Sequence, residues 1–252
     1  MKNIFTVLLL SFSTVLFAQK KTVNTKVNLK KTAAEKKTVP KVNSDLIKIN
    51  DSIPALIPYK KEGQSGFINQ KGKIIIPAIY SNVGFFTEDC NLLNSLNSKV
   101  QKFGSKEYAS VRLDGKDYRI DMTGKRVYHF NESDLGQCPF QFKSQLFHAY
   151  ILNKAYGIIE DSKFHDASDY RHFTIYPQFQ YLHILEGDDL KNPMIIAVKN
   201  DQFGIIDVTG KVIIPFEYED IKRNYSWKIG RLFEVTKDGE NYFFIDIANK
   251  AY

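Results

Sequence analysis

The chain has 252 residues, of which 43% are hydrophobic, with 19 Phe and 14 Tyr. This composition excludes a wholly disordered chain, allows one large all-β domain or two small ones, and favours strands through its aromatic excess. The formal charge of +7 is concentrated in the first 48 residues, where ten Lys face only Glu35 and Asp45, a net +8. The rest of the chain therefore carries a net charge of −1, and the basic balance is no argument that the folded part binds nucleic acid.

Residues 1–18 have the pattern of a secretory signal, with one Lys, an apolar stretch and a small residue at the end. The pattern predicts cleavage between Ala18 and Gln19 and export from a bacterial cytoplasm, to the periplasm, the medium or the cell surface. An uncleaved membrane anchor is less favoured, because the apolar run is short and Ser and Thr interrupt it. We expect no transmembrane span after cleavage.

Residues 19–50 are rich in Lys, Thr, Val and Asn and contain no aromatic residue. Such a segment buries too little surface to offset its ordering entropy, so it is predicted to be a basic disordered linker before a folded domain at residues 51–252. The alternative is a polybasic arm in weak, salt-sensitive contact with an anionic surface such as lipid headgroups or an acidic polysaccharide.

An apolar strand that ends in an acidic or amide residue recurs at intervals of about 40 to 50 residues. The five copies are Gly66–Asn69, Tyr118–Asp121, Gly157–Glu160, Gly204–Asp207 and Phe243–Asp246. The interval fits one three-stranded β-meander per copy, most clearly in Met194–Ile221. The sequence therefore predicts an all-β fold of about five meanders, in a propeller-like ring or an open stacked array, and leaves that choice open.

Each of four copies is followed by a turn with Asp or Asn in its first position and Gly or Asn in its fourth. These pairs are Asn69 with Gly72, Asp121 with Gly124, Asp207 with Gly210, and Asp246 with Asn249. A type I turn followed by a residue with positive φ favours these residue types, so the glycines of the best copy are interpreted as turn residues. Pro77 and Pro215 close the next apolar run and predict the end of that strand, because Pro cannot donate to a ladder.

These residues resemble the WG-repeat (KWG-repeat) family, whose signature is Trp-Gly, an apolar strand ending in Asp, Thr-Gly-Lys, an apolar run ending in Pro, and Tyr. The best match comprises Phe203–Asp207, Thr209–Lys211, Pro215 and Tyr218, followed by Ser65–Asn69, Gly72, Lys73, Pro77 and Tyr80, with Tyr156–Glu160 as a partial copy. Phe, Tyr or Ser replaces the Trp. The resemblance implies a bacterial β-repeat module with no characteristic catalytic residues.

Two longer connections, Phe86–Lys106 and His129–Gln145, interrupt the repeats and contain the two cysteines, Cys90 and Cys138. The first connection is predicted to carry a short helix through Leu92, Leu93 and Leu96. In an exported protein the cysteines either form a disulfide or remain two thiols, and pairing needs Cα atoms within about 7 Å.

Candidate chemistry is sparse. His165, Asp166, Asp169 and His172 suggest a metal cluster, but their spacing matches no established ligand pattern and is more typical of a solvated loop. Because no phosphate-binding Gly loop or nucleophile elbow is present, we expect no catalytic residue, metal or cofactor.

The sequence favours an exported, non-catalytic binding or scaffolding protein for an unidentified protein or polysaccharide of the cell envelope. One alternative is a hydrolase of envelope polymers with its site in the loops of residues 129–183. The other is a structural surface protein anchored by its basic arm. In each case we expect the function to lie in the loops where the repeat fails.

Overall fold

The computed structural model describes residues 44–46, 48–139, 145–164 and 172–252. The predicted signal peptide, its cleavage site at Ala18 and Gln19, and the linker as far as residue 43 lie outside these residues. His165, Asp166 and Asp169 lie outside them as well.

Short apolar runs bounded by turn residues form five small antiparallel sheets, which we number in chain order. Sheet 1 contains β1 (Leu56–Lys61), β2 (Gln64–Asn69) and β3 (Ile74–Tyr80). Sheet 2 contains β4 (Asn82–Phe86), β5 (Ala109–Leu113), β6 (Lys116–Ile120) and β7 (Arg126–His129). Sheet 3 contains β8 (Phe147–Leu152), β9 (Ala155–Glu160) and β10 (Phe173–Phe179). Sheet 4 contains β11 (Tyr181–Ile184), β12 (Ile195–Lys199), β13 (Gln202–Ile206) and β14 (Val212–Tyr218), and sheet 5 contains β15 (Asp220–Ile221), β16 (Phe233–Thr236) and β17 (Tyr242–Ile245).

The prediction of an all-β repeat protein is confirmed, with one sheet for each of the five repeats. The described residues also form three short α-helices outside the sheets: α1 (Cys90–Leu93), α2 (Ser98–Gln101) and α3 (Ser226–Gly230). Helix α1 lies where a helix was predicted in the first long connection, but it ends at Leu93, so the predicted extension to Leu96 was wrong.

Neighbouring sheets share a bent strand. A single residue separates β3 from β4, β10 from β11 and β14 from β15, so the last strand of one repeat continues as the first strand of the next sheet. These corner residues, Ser81, Gln180 and Glu219, donate their backbone N–H groups to Arg112, Val198 and Thr236, respectively. A strand that changes sheets at a bend is a common way to form a corner between packed sheets. Because of these bends, sheets 2, 4 and 5 each begin with a strand that follows directly from the preceding repeat. We call these strands, β4, β11 and β15, the leading strands.

The prolines do not end their strands, and that prediction was wrong. Pro77 lies inside β3 and Pro215 inside β14. The register of β2 against β3 shifts between the pairs Phe67↔Ile76 and Ser65↔Tyr80, which places Pro77 in a bulge. A bulge leaves a residue out of the ladder, so the missing N–H of Pro costs no hydrogen bond there.

The glycine opposite each bulge is required by close backbone contact, not by a turn. A Cβ on Gly66 would lie 2.4 Å from the carbonyl oxygen of Ile76, and one on Gly204 would lie 2.8 Å from that of Ile214. The turn interpretation was therefore wrong for Gly204. Gly157 has the same role in sheet 3, where its Cβ would lie 2.5 Å from the Ile175 oxygen.

The four turns after the second strands share one geometry. In the best copy, Asp207 Oδ1 accepts from the backbone N–H groups of Thr209 and Lys211 at 2.8 and 3.1 Å. Gly210 has φ +84°, which is accessible to Gly at little cost. The other three copies repeat the two acceptor bonds, through Asn69 to Lys71 and Lys73, Asp121 to Thr123 and Lys125, and Asp246 to Ala248 and Lys250.

Four buried apolar clusters connect the sheets in pairs. They join sheets 1 and 2, sheets 3 and 4, sheets 4 and 5, and sheets 5 and 1. The last cluster brings the two ends of the domain together through Ile57, Phe85 and Leu232. None of these four clusters joins sheets 2 and 3 in the described part of the chain.

The first long connection is held by a buried arginine. Arg119 lies on β6 where other repeats have an apolar residue, and it is 1% exposed. Its guanidinium donates to the carbonyl oxygens of Thr87, Phe103 and Ser105 at 2.8 to 3.0 Å. Burial lowers the pKa of Arg119, and the nearby charge of Asp89 opposes that shift. The connection is thus anchored through its own backbone.

Candidate binding cleft between the first and last repeats

A cleft of about 620 Å³ opens where sheet 1, β4 and sheet 5 meet. Its walls come from the two ends of the described domain, which the fourth buried cluster holds together. The aromatic residues in its lining are Tyr59, Phe85, Tyr242, Phe243, Phe244 and Tyr252. Concave sites of this size with mainly apolar walls are typical ligand sites.

Ser65 stands in the cleft lining where other repeats have an aromatic residue. It is 2% exposed and lies in the cleft lining, at the position before the glycine that faces the bulge. In sheets 3 and 4 the equivalent residues, Tyr156 and Phe203, are partly buried and pack against the apolar clusters between sheets. The hydroxymethyl group of Ser65 occupies much less volume than the rings of Tyr156 and Phe203, so this position of the cleft differs from the same position in the other two sheets.

Two tyrosines of the wall are fixed by pairs of polar contacts. Tyr242 donates its hydroxyl to Asp220 Oδ2 at 2.8 Å, and Lys222 Nζ lies 3.8 Å from the centre of its ring. Cation–π contact of this kind orients the ring as well as stabilising it.

Tyr252 is fixed in the same manner. It donates its hydroxyl to Asp246 Oδ2 at 2.9 Å, and Lys250 Nζ lies 4.6 Å from its ring centre. Burial and the Asp246 carboxylate raise the pKa of Tyr252 to about 12, so it stays a neutral donor at physiological pH. Walls held in this way are preorganised, which lowers the entropy cost of binding.

The charged side chains of the lining are one cation, Lys60, and one anion, Glu234. Glu234 accepts a hydrogen bond from Asn224 Nδ2 at 2.7 Å, and Asn224 Oδ1 accepts from the backbone N–H of Ser226 at 3.0 Å. The amide of Asn82 completes the polar rim. This balance suits an uncharged ligand that offers hydroxyl or amide groups.

The model of the WG-containing repeat matches residues 66–91 and 203–227. The chain therefore contains two WG-containing repeats. The two matches begin at the glycine opposite the bulge in the first repeat and at Phe203 in the fourth. Comparisons with curated proteins and with solved structures gave no match.

The WG-repeat signature residues lie in the framework of the sheets. Tyr80 and Tyr218 end the third strands and are 2% exposed. Burial and the neighbouring Glu217 raise the pKa of Tyr218 to about 12. The other signature residues set backbone geometry or fill the core: Gly66, Asn69, Gly72, Pro77, Asp121, Gly124, Gly157, Gly204, Asp207, Gly210, Pro215 and Asp246.

The cleft was missed from sequence. Tyr242 and Tyr252 lie outside the signature, and nothing local shows that they face the first repeat. The available signal was Ser65, a small residue in the Trp position of an otherwise well-matched repeat.

The described histidines lie on different elements. His129 is on β7 beside the ring of Tyr118, and His148 on β8 contacts Asp161. His183 is on β11, where burial and Arg223 lower its pKa. Of the suggested metal cluster, His172 is the one described member. Among described residues, no group of three His, Cys, Asp or Glu side chains is placed to hold a metal ion, and no helix is long and apolar enough to cross a membrane.

A second pocket of about 560 Å³ lies beside the start of β8 and carries Glu186, Asp188 and Asp189. Lys228 lies 3.4 Å from Glu186, and Arg231 lies 3.9 Å from Asp188. Hydrogen bonds from Asn192 lower the pKa of Asp189. A general acid for glycoside hydrolysis needs the opposite shift.

Cys90 and Cys138 lie within bonding distance, with their Cα atoms 5.6 Å apart. The contact joins α1 to the second long connection, next to a hydrogen bond from Gly136 N–H to the Asn91 oxygen. The Cα separation is therefore below the limit of about 7 Å that a disulfide between these cysteines requires.

Proposed function

We propose that this WG-repeat protein is an exported, non-catalytic binding protein whose cleft takes a saccharide chain of the cell envelope. The observation that supports this proposal is the cleft at Ser65. Its walls contain oriented tyrosines and phenylalanines, and its rim is polar with one positive and one negative side chain. Aromatic rings bind the apolar faces of sugar rings, while amide and hydroxyl groups bind the sugar hydroxyls.

Export is supported by the signal-like pattern of residues 1–18 and by the disulfide-compatible cysteine pair, since disulfides persist in oxidising compartments. A non-catalytic role is supported by the carboxyl groups, because the pKa values of eight carboxyl groups in the described residues lie below their usual range. Ionised carboxylates serve as acceptors and ion-pair partners, not as proton donors.

The test is to fill the cleft with the side chain that the family places there. Purified protein is titrated with soluble fragments of cell-wall glycan in a calorimeter, as wild type and as Ser65→Trp. We expect the wild type to bind and Ser65→Trp to lose at least about 90% of the binding heat, because the indole occupies the ligand's volume.

Phe203→Trp is the matched control, since it restores the same family residue in the fourth repeat, away from the cleft, and should bind like the wild type. Ser65→Phe repeats the test with a smaller ring if the indole unfolds the chain. Equal binding by wild type and Ser65→Trp would contradict the cleft as the site. New reducing ends during incubation with the glycan would instead favour the hydrolase.

A further inference from the structure

In the described part of the chain, strand β8 lacks a neighbour that the equivalent strands of sheets 2, 4 and 5 have. In sheets 2, 4 and 5 the leading strands β4, β11 and β15 pair with β5, β12 and β16. In sheet 3 the corresponding strand is β8, and among the described residues it pairs with β9 alone. Among the described residues, the repeat pattern therefore leaves the outer edges of β1 and β8 without a leading strand.

The open edge of β8 presents a defined set of backbone groups. Leu152 and Ala155 flank the two-residue turn at Asn153 and Lys154, so their pair is hydrogen-bonded and alternate residues of β8 point away from β9. The outward groups belong to Phe147, Ala149 and Ile151. In sheet 4 the equivalent residues Met194 and Val198 accept bonds from Leu185 and Gln180, so this position accepts a strand elsewhere in the same molecule.

The other edges carry features that discourage pairing. Strand β1 contains Pro58, Lys60 and Lys61, and the third strands β3, β10 and β14 each contain a proline. The leading strands β4, β11 and β15 have five residues or fewer. Strand β7 has four residues and begins with Arg126, and Ile245 of β17 forms a bridge with Ala251. Short length, proline and charge are known protections of edge strands.

Strand β8 has none of these protections. It is six residues long, Phe-His-Ala-Tyr-Ile-Leu, and contains no proline and no Lys, Arg, Asp or Glu. Ala149 is exposed and Ile151 is 55% exposed. An unprotected edge of this kind is a template for another strand.

We propose that β8 pairs antiparallel with β8 of a second copy of this chain, about a two-fold axis at Ala149. The strand is complementary to itself in this register, since Phe147 lies opposite Ile151 of the partner subunit and His148 opposite Tyr150 of the partner subunit. No like formal charges meet, which would otherwise oppose the pairing. Sheet 3 of each copy then becomes half of one continuous sheet, an interface with the symmetry that most dimers have.

The first test is sedimentation of the full chain from about 1 µM to about 1 mM, a range that covers weak self-association. We expect the wild type to dimerise with concentration. Ile151→Lys and Ala149→Pro should each weaken dimerisation about tenfold or more, because Lys is desolvated at the edge and Pro removes an outward donor. Val212→Lys changes a residue of similar exposure, 48%, on β14 and should dimerise like the wild type.

The second test fixes the register. Ala149→Cys places two thiols directly opposite each other at a Cα separation of about 5.5 Å, within the range of a disulfide, whereas Leu152→Cys does not face itself. Mild oxidation should cross-link the first variant and not the second. A wild type that stays monomeric throughout, or an Ile151→Lys variant that dimerises normally, contradicts the proposal, as does cross-linking of Leu152→Cys alone. None of these outcomes bears on glycan binding in the cleft.

Discussion

The first and fourth repeats use the same backbone and differ at one side chain. Both have a glycine opposite a proline-containing bulge, at Gly66 and Gly204, and both close their second strand with an acceptor turn. Phe203 fills the space beside the fourth bulge and packs against the cluster of sheets 4 and 5. Ser65, a much smaller residue, takes that position in the first repeat and lines the cleft.

This difference separates what the repeat needs to fold from what it can vary. The glycine, the turn acceptor and the proline set the path of the backbone, so they are fixed by geometry. The residue in the Trp position only fills volume between two sheets. It can therefore be exchanged for a small residue where the neighbouring side chains are held in place by other contacts. In the first repeat those walls are held by Asp220, Asp246 and their tyrosines.

The strongest way to break the shared backbone is to add a methyl group at Gly66. Gly66→Ala places a Cβ 2.4 Å from the Ile76 carbonyl oxygen, so the bulge must move. We expect a loss of about 3 kcal/mol or more in the free energy of unfolding, measured by urea denaturation.

Gly84→Ala is the control for this change. Gly84 also lies in a strand, β4, but its Cβ would be 3.7 Å from its nearest neighbour, the Ser110 oxygen. It should shift the free energy of unfolding by less than about 1 kcal/mol. Equal losses in both variants would show that glycine in a strand, and not close contact at the bulge, is the cause.

Exchanging the two side chains that differ should have opposite effects. Phe203→Ser removes a partly buried ring from its cluster and should cost about 2 kcal/mol in the free energy of unfolding, because a cavity remains. Ser65→Phe fills existing space and should stabilise the protein by about 1 kcal/mol. Thermal melts of both variants measure this, and a destabilised Ser65→Phe would mean that the first repeat has no room for a ring.

The sequence was informative where structure is local. The type I turns at Asp207 and Asn69, the number of repeats and the all-β class follow from residue types within a few positions of each other. The prediction for Pro77 was wrong because a bulge depends on the register with the partner strand, and the residues next to Pro77 in sequence do not show that register. The cleft depends on Tyr242 and Tyr252 lining the same space as Tyr59, which is more than 180 residues earlier in the chain. The periodicity of the sequence gives no information about such distant pairs.

The smallest expected effect is a pH-dependent difference in stability between the turn at Asp207 and the turn at Asn69. Burial raises the pKa of Asp207, but the bonds from the Thr209 hydroxyl and from two backbone N–H groups outweigh it, so the pKa is below its usual 3.8. A carboxyl with a lowered folded pKa contributes stability above its unfolded pKa and loses that contribution as the pH falls through the folded value. Asp207→Asn keeps the acceptor, as Asn69 shows, but removes the charge. It should therefore cost about 0.5 to 1 kcal/mol near pH 7 and nothing in strong acid.

The reverse change, Asn69→Asp, should not be its mirror image. Asn69 is 4% exposed, and its Nδ2 donates to the Asp45 carbonyl oxygen at 3.0 Å, a bond that a carboxylate cannot make. Asn69→Asp should therefore be more destabilising near pH 7 than Asp207→Asn, because a buried charge faces a carbonyl oxygen. Melts of the two variants across pH 2 to 8 compare the turns directly. Equal losses at pH 7 would mean that the turn alone, and not the contact of Asn69 with Asp45, decides which acceptor each repeat carries.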